Sequence, residues 1–242
     1  MFETGSQTKP GGDPAGFGAA DFALLEGMAV ADSDRTGDLA DRIDVLWAKA
    51  DRLANELGVT LFGAAGHTAA VWPDNYRDEC PPFIWGRLKR AGNERYATHI
   101  GWFLSPESCN LSIDLEKDPL DAGDSAETLD QVIEFYRSEF ASTLTGIERM
   151  DIRVWTDARN VVGTVGFSAI DFHRFMADNH DPDHPWPKTG YTLSAADVEG
   201  FASRWVEEFR QRAAPLVPIY DAMIRSFGGT RDADDERRRS GR

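Results

Sequence analysis

The chain has 242 residues, of which 41% are hydrophobic and seven are tryptophan, and this is enough apolar material for one substantial packed core. It carries 41 acidic and 26 basic residues, and the resulting net charge of −15 disfavours broad, nonspecific binding to nucleic acid. No apolar run is long enough to span a membrane and the N-terminus lacks a secretory pattern, so we expect a cytoplasmic protein without membrane partners.

The acidity itself has two explanations. The first is halophilic adaptation: a salty cytosol screens charges, so a protein there tolerates the repulsion among its own carboxylates. Few lysines and many carboxylates fit this explanation, and they also fit a GC-rich genome. The alternative is that the negative charge serves a specific partner. The sequence does not choose between them.

The composition predicts a single domain between two disordered tails. Residues 1–19 are rich in Gly, Pro and small polar residues, and residues 228–242 mix acidic and basic residues without an apolar pattern. The domain is therefore expected at 20–227. Cys80 and Cys109 lie in unlike settings, so we expect no disulfide framework, and Cys109 is expected to pack as a small apolar residue.

The first predicted element is a helix at 38–57, where apolar residues recur every three or four positions and Gly58 follows as a stop. A short strand is predicted at 59–62. A long irregular stretch follows, and another strand is predicted at 83–88.

Residues 97–118 carry the clearest pattern, that of a β-hairpin. Apolar and polar residues alternate strictly from 109 to 116, and a Ser-Pro-Glu-Ser turn at 105–108 separates them from the preceding apolar run. On the polar side, His99 is expected opposite Asp114. The expected partners on the apolar side are Leu104 with Cys109, Trp102 with Leu111 and Ile100 with Ile113.

After the hairpin, Asp124 and Glu127 predict a capping box for a helix that ends before Gly146. A second hairpin is predicted from strands at 151–156 and 161–167. A short helix at 170–178 and a Pro-rich loop follow.

Ser194 and Asp197 predict the cap of the last major helix, which Pro215 and Pro218 are expected to break or kink. The inward side of that helix is expected to carry Val198, Phe201, Trp205 and Phe209. Because strands cluster as hairpins among amphipathic helices and no βαβ repeat is evident, the predicted fold class is α+β with a mainly antiparallel sheet.

His99 and Asp114 form the first candidate site, with Glu116 nearby. Directly opposed residues on an antiparallel pair lie close enough for an imidazole and a carboxylate to bond. A carboxylate that holds one ring nitrogen raises the basicity of the ring, as a general base requires. The competing explanation is a cross-strand ion pair with a structural role only.

The second candidate is a basic strip, Arg87, Lys89, Arg90 and Arg95, flanked by Trp85 and Tyr96. Arginines can grip phosphate or carboxylate with paired hydrogen bonds, and the aromatic rings can stack on a base. The alternative is that these cations neutralise the protein's own carboxylates. Because the strip runs into the first strand of the hairpin, both candidate sites are expected to converge on one face.

Other local patterns are weaker. His180 and His184 lie four residues apart in NHDPDHPW, but the prolines disfavour a helix, so no metal site is predicted. The small-residue loop GAAGHT lacks both phosphate-binding glycine patterns. The chain also lacks a G-x-S-x-G elbow, an H-E-x-x-H helix and a C-x-x-C pair. The sequence identifies no cofactor.

Two functions follow as hypotheses. The first is a binding module that captures an anionic ligand, a nucleotide or nucleic-acid segment, through the basic strip. The second is a hydrolase or phosphodiesterase-like enzyme that uses His99 and Asp114, with the same arginines holding a negatively charged substrate. Because no complete catalytic constellation can be assembled, the sequence leaves open whether the protein is an enzyme.

Overall fold

The computed structural model describes the chain in segments separated by gaps. The described residues are 16–30, 38–63, 67–71, 84–116, 120, 122–144, 152–155, 161–163, 174–175, 177–178, 186–201 and 204–240. The helices within them are α1 (Ala19–Val30), α2 (Asp38–Phe62), α3 (Leu129–Ser138), α4 (Phe140–Thr143), α5 (Ala195–Gly200), α6 (Trp205–Ala213) and α7 (Leu216–Ser240). The strands are β1 (His67–Val71), β2 (Ile84–Arg90), β3 (Thr98–Leu104), β4 (Ser108–Leu115), β5 (Arg153–Trp155), β6 (Val161–Gly163) and β7 (Lys188–Ser194).

The strands form an antiparallel sheet in the order β1-β2-β3-β4-β7-β5-β6. Strand β7, which follows the others in the chain, lies between β4 and β5. The predicted α+β class with a mainly antiparallel sheet is confirmed. Strand β7 itself is a correction, because the sequence analysis predicted no strand at 188–194.

The β3–β4 hairpin has the predicted register at every partner pair. Its turn closes through a 2.8 Å hydrogen bond from the Ser105 amide to the Ser108 carbonyl. The observed partners include Leu104 with Cys109, Trp102 with Leu111, Ile100 with Ile113 and His99 with Asp114. Cys109 is fully buried, as expected for a small apolar residue.

Alternation along the strands gives the sheet two unlike faces. The core face carries apolar side chains that join the buried side chains of the helices in one cluster. It includes Ile84, Leu88, Ile100, Trp102, Leu104, Leu111, Ile113, Tyr191 and Leu193. The opposite face, called the polar face below, includes Trp85, Arg87, Lys89, His99, Gly101, Phe103, Asn110, Ser112, Asp114, Arg153, Trp155 and Lys188.

Helix α2 extends farther than predicted. Its buried side matches the expected periodicity, but the helix continues through Gly58 and ends at Phe62, so the predicted strand at 59–62 is wrong. A glycine inside a helix costs only about 1 kcal/mol, and Leu61 and Phe62 both pack against the core. The helix ends where Gly63 takes a positive φ of 83°.

Helix α3 begins at a different cap from the predicted one. The observed capping box joins Thr128 and Gln131. Glu127 is instead buried and accepts hydrogen bonds from the Thr98 amide (2.7 Å) and the Thr98 hydroxyl (2.8 Å). The side chain that was predicted to start the helix therefore ties the segment before α3 to strand β3.

The capping box of Ser194 and Asp197 is confirmed, and the predicted inward residues are all buried, but the single helix predicted to follow this cap is observed as two helices, α5 and α6. The helical path breaks near Pro215, as expected. Pro218 lies within the first turn of α7, where proline is tolerated because its missing N–H has no intrahelical acceptor.

The ends of the chain contain structure within the segments that composition assigns to tails. Phe17 is buried and packs edge-on against Trp205, with ring centroids 5.3 Å apart. Helix α7 continues through residues 228–240.

Strands β5 and β6 pair as predicted over the residues that the structure describes there, Arg153–Trp155 and Val161–Gly163. The loop at 157–160, Gly146, Cys80 and most of the helix predicted at 170–178 lie outside the described residues. None of the described helices combines the length and apolarity needed to cross a membrane.

Candidate functional site on the polar face of the sheet

His99 lies on the polar face near the start of β3. Its side chain is nearly fully buried, with 3% of the residue surface exposed. The imidazole bends over Gly101, where an added Cβ atom would lie 3.0 Å from Nε2. Its ring centroid lies 6.4 Å from that of Trp85 on the neighbouring strand. Because Gly101 has no side chain, the His99 ring can pack directly over its backbone.

The surroundings of His99 favour its neutral form. Burial lowers the pKa of His99 below its ordinary value, and this effect outweighs the attraction of Asp114. His99 Nδ1 lies 3.0 Å from the Ala97 carbonyl oxygen, which is an acceptor only. In the neutral ring, Nδ1–H therefore donates to Ala97 and Nε2 keeps its lone pair.

Asp114 lies opposite His99 but has its own partners. It accepts hydrogen bonds from the Trp186 indole N–H (2.9 Å) and the Leu115 amide (2.8 Å), and Lys188 Nζ lies 3.3 Å away. Burial alone would raise the pKa of Asp114, but nearby positive charge, that of Lys188 first, and the hydrogen bonds from Leu115 and Trp186 together hold that pKa below its ordinary value. Asp114 is therefore an ionised carboxylate at neutral pH.

Two members of the predicted basic strip, Arg87 and Lys89, lie on this face and share one carboxylate. Glu116 forms ion pairs with Arg87 and with Lys89, the latter at 2.6 Å. Lys89 has 3% of its surface exposed and also donates to the carbonyl of Tyr96. Burial lowers the pKa of Lys89, against the opposing effect of Glu116. Lys89 is a buried structural cation, whereas the Arg87 side chain remains 27% exposed.

The other members lie elsewhere, which corrects the expectation that the whole strip converges on one face. Arg90 binds Asp221 of α7 with two nitrogens and lies over the Phe62 ring at 4.8 Å. Tyr96 stacks on Phe227, also in α7. Arg95 is exposed in the β2–β3 connection. Strand alternation explains the division, because Arg90 follows Lys89 by one residue and points to the opposite face.

The polar face also holds residues that the sequence analysis did not select. Phe103 pairs directly with Trp85 across β2 and β3, and Lys188 and Trp186 approach Asp114 from β7 and the residues just before it. The hairpin register predicted from the sequence already placed Phe103 on this face, so its position could have been recognised from the sequence. Lys188 and Trp186 had no local signal, since only the pairing of β7 with β4 brings them here.

The structure tests the remaining local patterns only in part. Gly63 ends helix α2, while residues 64–66 of the GAAGHT loop and the pair His180 and His184 lie outside the described residues. Within the described residues, no group of three or more His, Cys, Asp or Glu side chains is arranged to hold a metal ion.

Comparison with known proteins adds no assignment. No protein-family model matches the chain, and no curated protein matches its sequence at a significant level.

Proposed function

We propose that the protein binds an anionic ligand, a nucleotide or a nucleic-acid segment, on the polar face of its sheet, with Arg87 as the main contact. The observation that carries this proposal is a local excess of positive charge on an acidic chain. The described strands and the residue after β4 place four cations and two carboxylates on this face: Arg87, Lys89, Arg153 and Lys188 with Asp114 and Glu116.

Arg87 is the cation best suited to a ligand. Lys89 is buried, Lys188 lies beside Asp114, and Arg90 belongs to the opposite face. A guanidinium can hold Glu116 and still present N–H groups to a phosphate, since it has five donors in a planar fork.

The test compares Arg87→Gln with Arg90→Gln, which remove the same charge from opposite faces of one strand. Isothermal titration calorimetry with pyrophosphate, ATP and a short oligothymidylate measures affinity. We expect Arg87→Gln to weaken binding by about 10- to 100-fold, as for loss of a charge-assisted contact, and Arg90→Gln to leave it unchanged. If the parent protein binds none of these anions, or both variants lose affinity equally, the proposal fails.

The second candidate is a hydrolase or phosphodiesterase-like enzyme, which the unprotonated Nε2 of His99 favours. With Nδ1 held by Ala97, Nε2 is the ring atom able to take a proton from an attacking water. Its near-complete burial makes binding the better supported function. Hydrolysis of bis(p-nitrophenyl) phosphate by the parent, and its loss in His99→Asn, would support the enzyme instead.

A further inference from the structure

We infer that the half of the polar face formed by β4, β7 and β5 binds a sugar phosphate, with the phosphate on Arg153 and the hydroxyl groups on uncharged polar side chains. Those side chains are Asn110, Ser112 and Thr192, and together with Arg153 they are called the Asn110 patch below. The inference goes beyond the proposed function, in which Arg87 is the main contact.

The register of three neighbouring strands brings the Asn110 patch together. Ser112 of β4 pairs with Gly190 of β7, and Gly190 pairs in turn with Arg153 of β5. Asn110 pairs with Thr192, and both lie on the same face because side chains alternate along a strand. Neighbouring strands lie about 4.8 Å apart, so Ser112 and Arg153 are separated by about 10 Å across the sheet. A small phosphorylated sugar can bridge this distance.

Two polar groups of the patch lack the hydrogen bonds that buried polar groups normally make. Within the described part of the chain, Asn110 Oδ1 is buried and has no hydrogen-bond partner. Ser112 is 5% exposed, and its hydroxyl likewise makes no hydrogen bond with the described residues. A buried acceptor without a partner costs about 1–3 kcal/mol. Because the Asn110 oxygen can only accept, the group that completes it is a donor such as a sugar hydroxyl.

Arg153 supplies the positive charge on the β5 side of the patch. Its side chain is exposed, and among the described residues no carboxylate forms an ion pair with it. Arg87 and Arg90, by contrast, pair with carboxylates of the protein itself. A guanidinium binds phosphate oxygens with paired, charge-assisted hydrogen bonds. Since Thr192 is also exposed, the patch has an exposed rim beside the buried Ser112.

A sugar phosphate matches both kinds of group in the patch. Inorganic phosphate at neutral pH mainly offers acceptors, so it uses Arg153 but leaves the Asn110 oxygen without a donor. A sugar without phosphate uses the amide and the hydroxyls but not the guanidinium. The site is also separate from the proposed contact of Arg87, because Arg87 and Arg153 lie four strand spacings apart in one row, or about 19 Å.

The experiment measures the affinity of the full chain for ribose 5-phosphate, inorganic phosphate and ribose by isothermal titration calorimetry. We expect ribose 5-phosphate to bind about tenfold or more tightly than either of the others, since each added hydrogen bond contributes about 1 kcal/mol. Arg153→Gln should weaken its binding by about 10- to 100-fold. Arg95→Gln is the matched control, because it removes an exposed arginine from the β2–β3 connection, and it should leave the affinity unchanged.

Two further variants test the hydroxyl contacts. Asn110→Ala and Thr192→Val should each reduce the preference for ribose 5-phosphate over inorganic phosphate and leave the affinity for inorganic phosphate unchanged. Thr192→Val keeps the shape of an exposed side chain, so it tests the contact even if Asn110→Ala fails to fold. An unchanged preference in Thr192→Val would contradict the hydroxyl contact of Thr192.

The outcomes separate this inference from the proposed function. Equal affinity for ribose 5-phosphate and inorganic phosphate, or no binding of either, overturns the sugar phosphate assignment. Loss of ribose 5-phosphate binding in Arg87→Gln but not in Arg153→Gln places the phosphate at Arg87, which overturns this inference and supports the proposed function. Gluconate, which combines hydroxyls with a carboxylate, should bind more weakly, and equal or tighter binding overturns the choice of phosphate. Binding of ATP and its dependence on Arg87 test the proposed function alone.

Discussion

His99 and Asp114 face each other across strands β3 and β4, yet each forms its hydrogen bonds with other groups. The imidazole binds the carbonyl of Ala97, while the carboxylate accepts from Trp186 and lies beside Lys188. The pair is therefore a neutral ring beside a stabilised anion. In the described contacts, Asp114 does not bind the His99 ring as a histidine–carboxylate dyad requires.

The burial of His99 predicts a specific loss of stability in mild acid. The folded-state pKa lies below the unfolded value near 6.5, so on acidification the unfolded chain binds this proton first. Stability is thus unaffected above pH 6.5 and decreases as the pH falls through that value toward the folded-state pKa. Urea unfolding at pH 7.5 and 5.5 should show a larger decrease for the parent than for His99→Asn. Equal decreases would contradict the prediction, since the other histidines contribute equally to both proteins.

A methyl group at position 101 is predicted to destabilise the fold. Gly101→Ala places a methyl group 3.0 Å from Nε2 of His99 in a buried setting, and such overpacking destabilises by about 1–3 kcal/mol. Gly200→Ala is the matched control, because nothing lies within 4 Å of an added Cβ at the end of helix α5. That variant should be neutral or more stable by about 0.4–1 kcal/mol. Equal effects in chemical denaturation would show that the His99 ring does not rest on Gly101.

Glu127 is predicted to matter more than the true helix cap beside it. Glu127→Ala leaves the buried Thr98 amide and hydroxyl without their carboxylate acceptor, and we expect a loss of about 2–3 kcal/mol. Thr128→Ala removes an exposed N-cap and should cost about 1 kcal/mol. Urea denaturation of both variants measures the difference. A smaller loss for Glu127→Ala than for Thr128→Ala would contradict the buried carboxylate role.

The contrast between Glu127 and the hairpin shows which parts of the fold can be predicted from the sequence. The β3–β4 register depends on strict alternation and a four-residue turn, both local, and every predicted pair was found. A capping box is also local, but Asp124 with Glu127 and Thr128 with Gln131 both have the required spacing. Only the position of Thr98 in space determines that Glu127 is used elsewhere.

The candidate site was predictable to a similar extent. The pairing of His99 with Asp114 and the presence of Phe103 on the same face follow from the hairpin register. The separation of Arg90 from Arg87 was also implicit, since it follows from alternation along β2. The approach of Lys188 to Asp114 was not predictable, because the place of β7 between β4 and β5 arises from long-range pairing.

Glu116 is predicted to stabilise the fold while restraining ligand binding. It neutralises the buried Lys89 and also holds Arg87, the proposed phosphate contact. Glu116→Gln should therefore lower the free energy of unfolding by about 1–3 kcal/mol, because Lys89 loses its carboxylate partner in a buried position. The same variant should bind ATP more tightly than the parent, since Arg87 no longer divides its donors between a carboxylate and a phosphate. Denaturation and calorimetry measure the two effects separately.

Glu207→Gln is the control, because Glu207 pairs with Arg210 on the exposed side of helix α6 and should change neither quantity. Reduced stability together with reduced affinity would mean that Glu116 positions Arg87 for the ligand and does not compete with it.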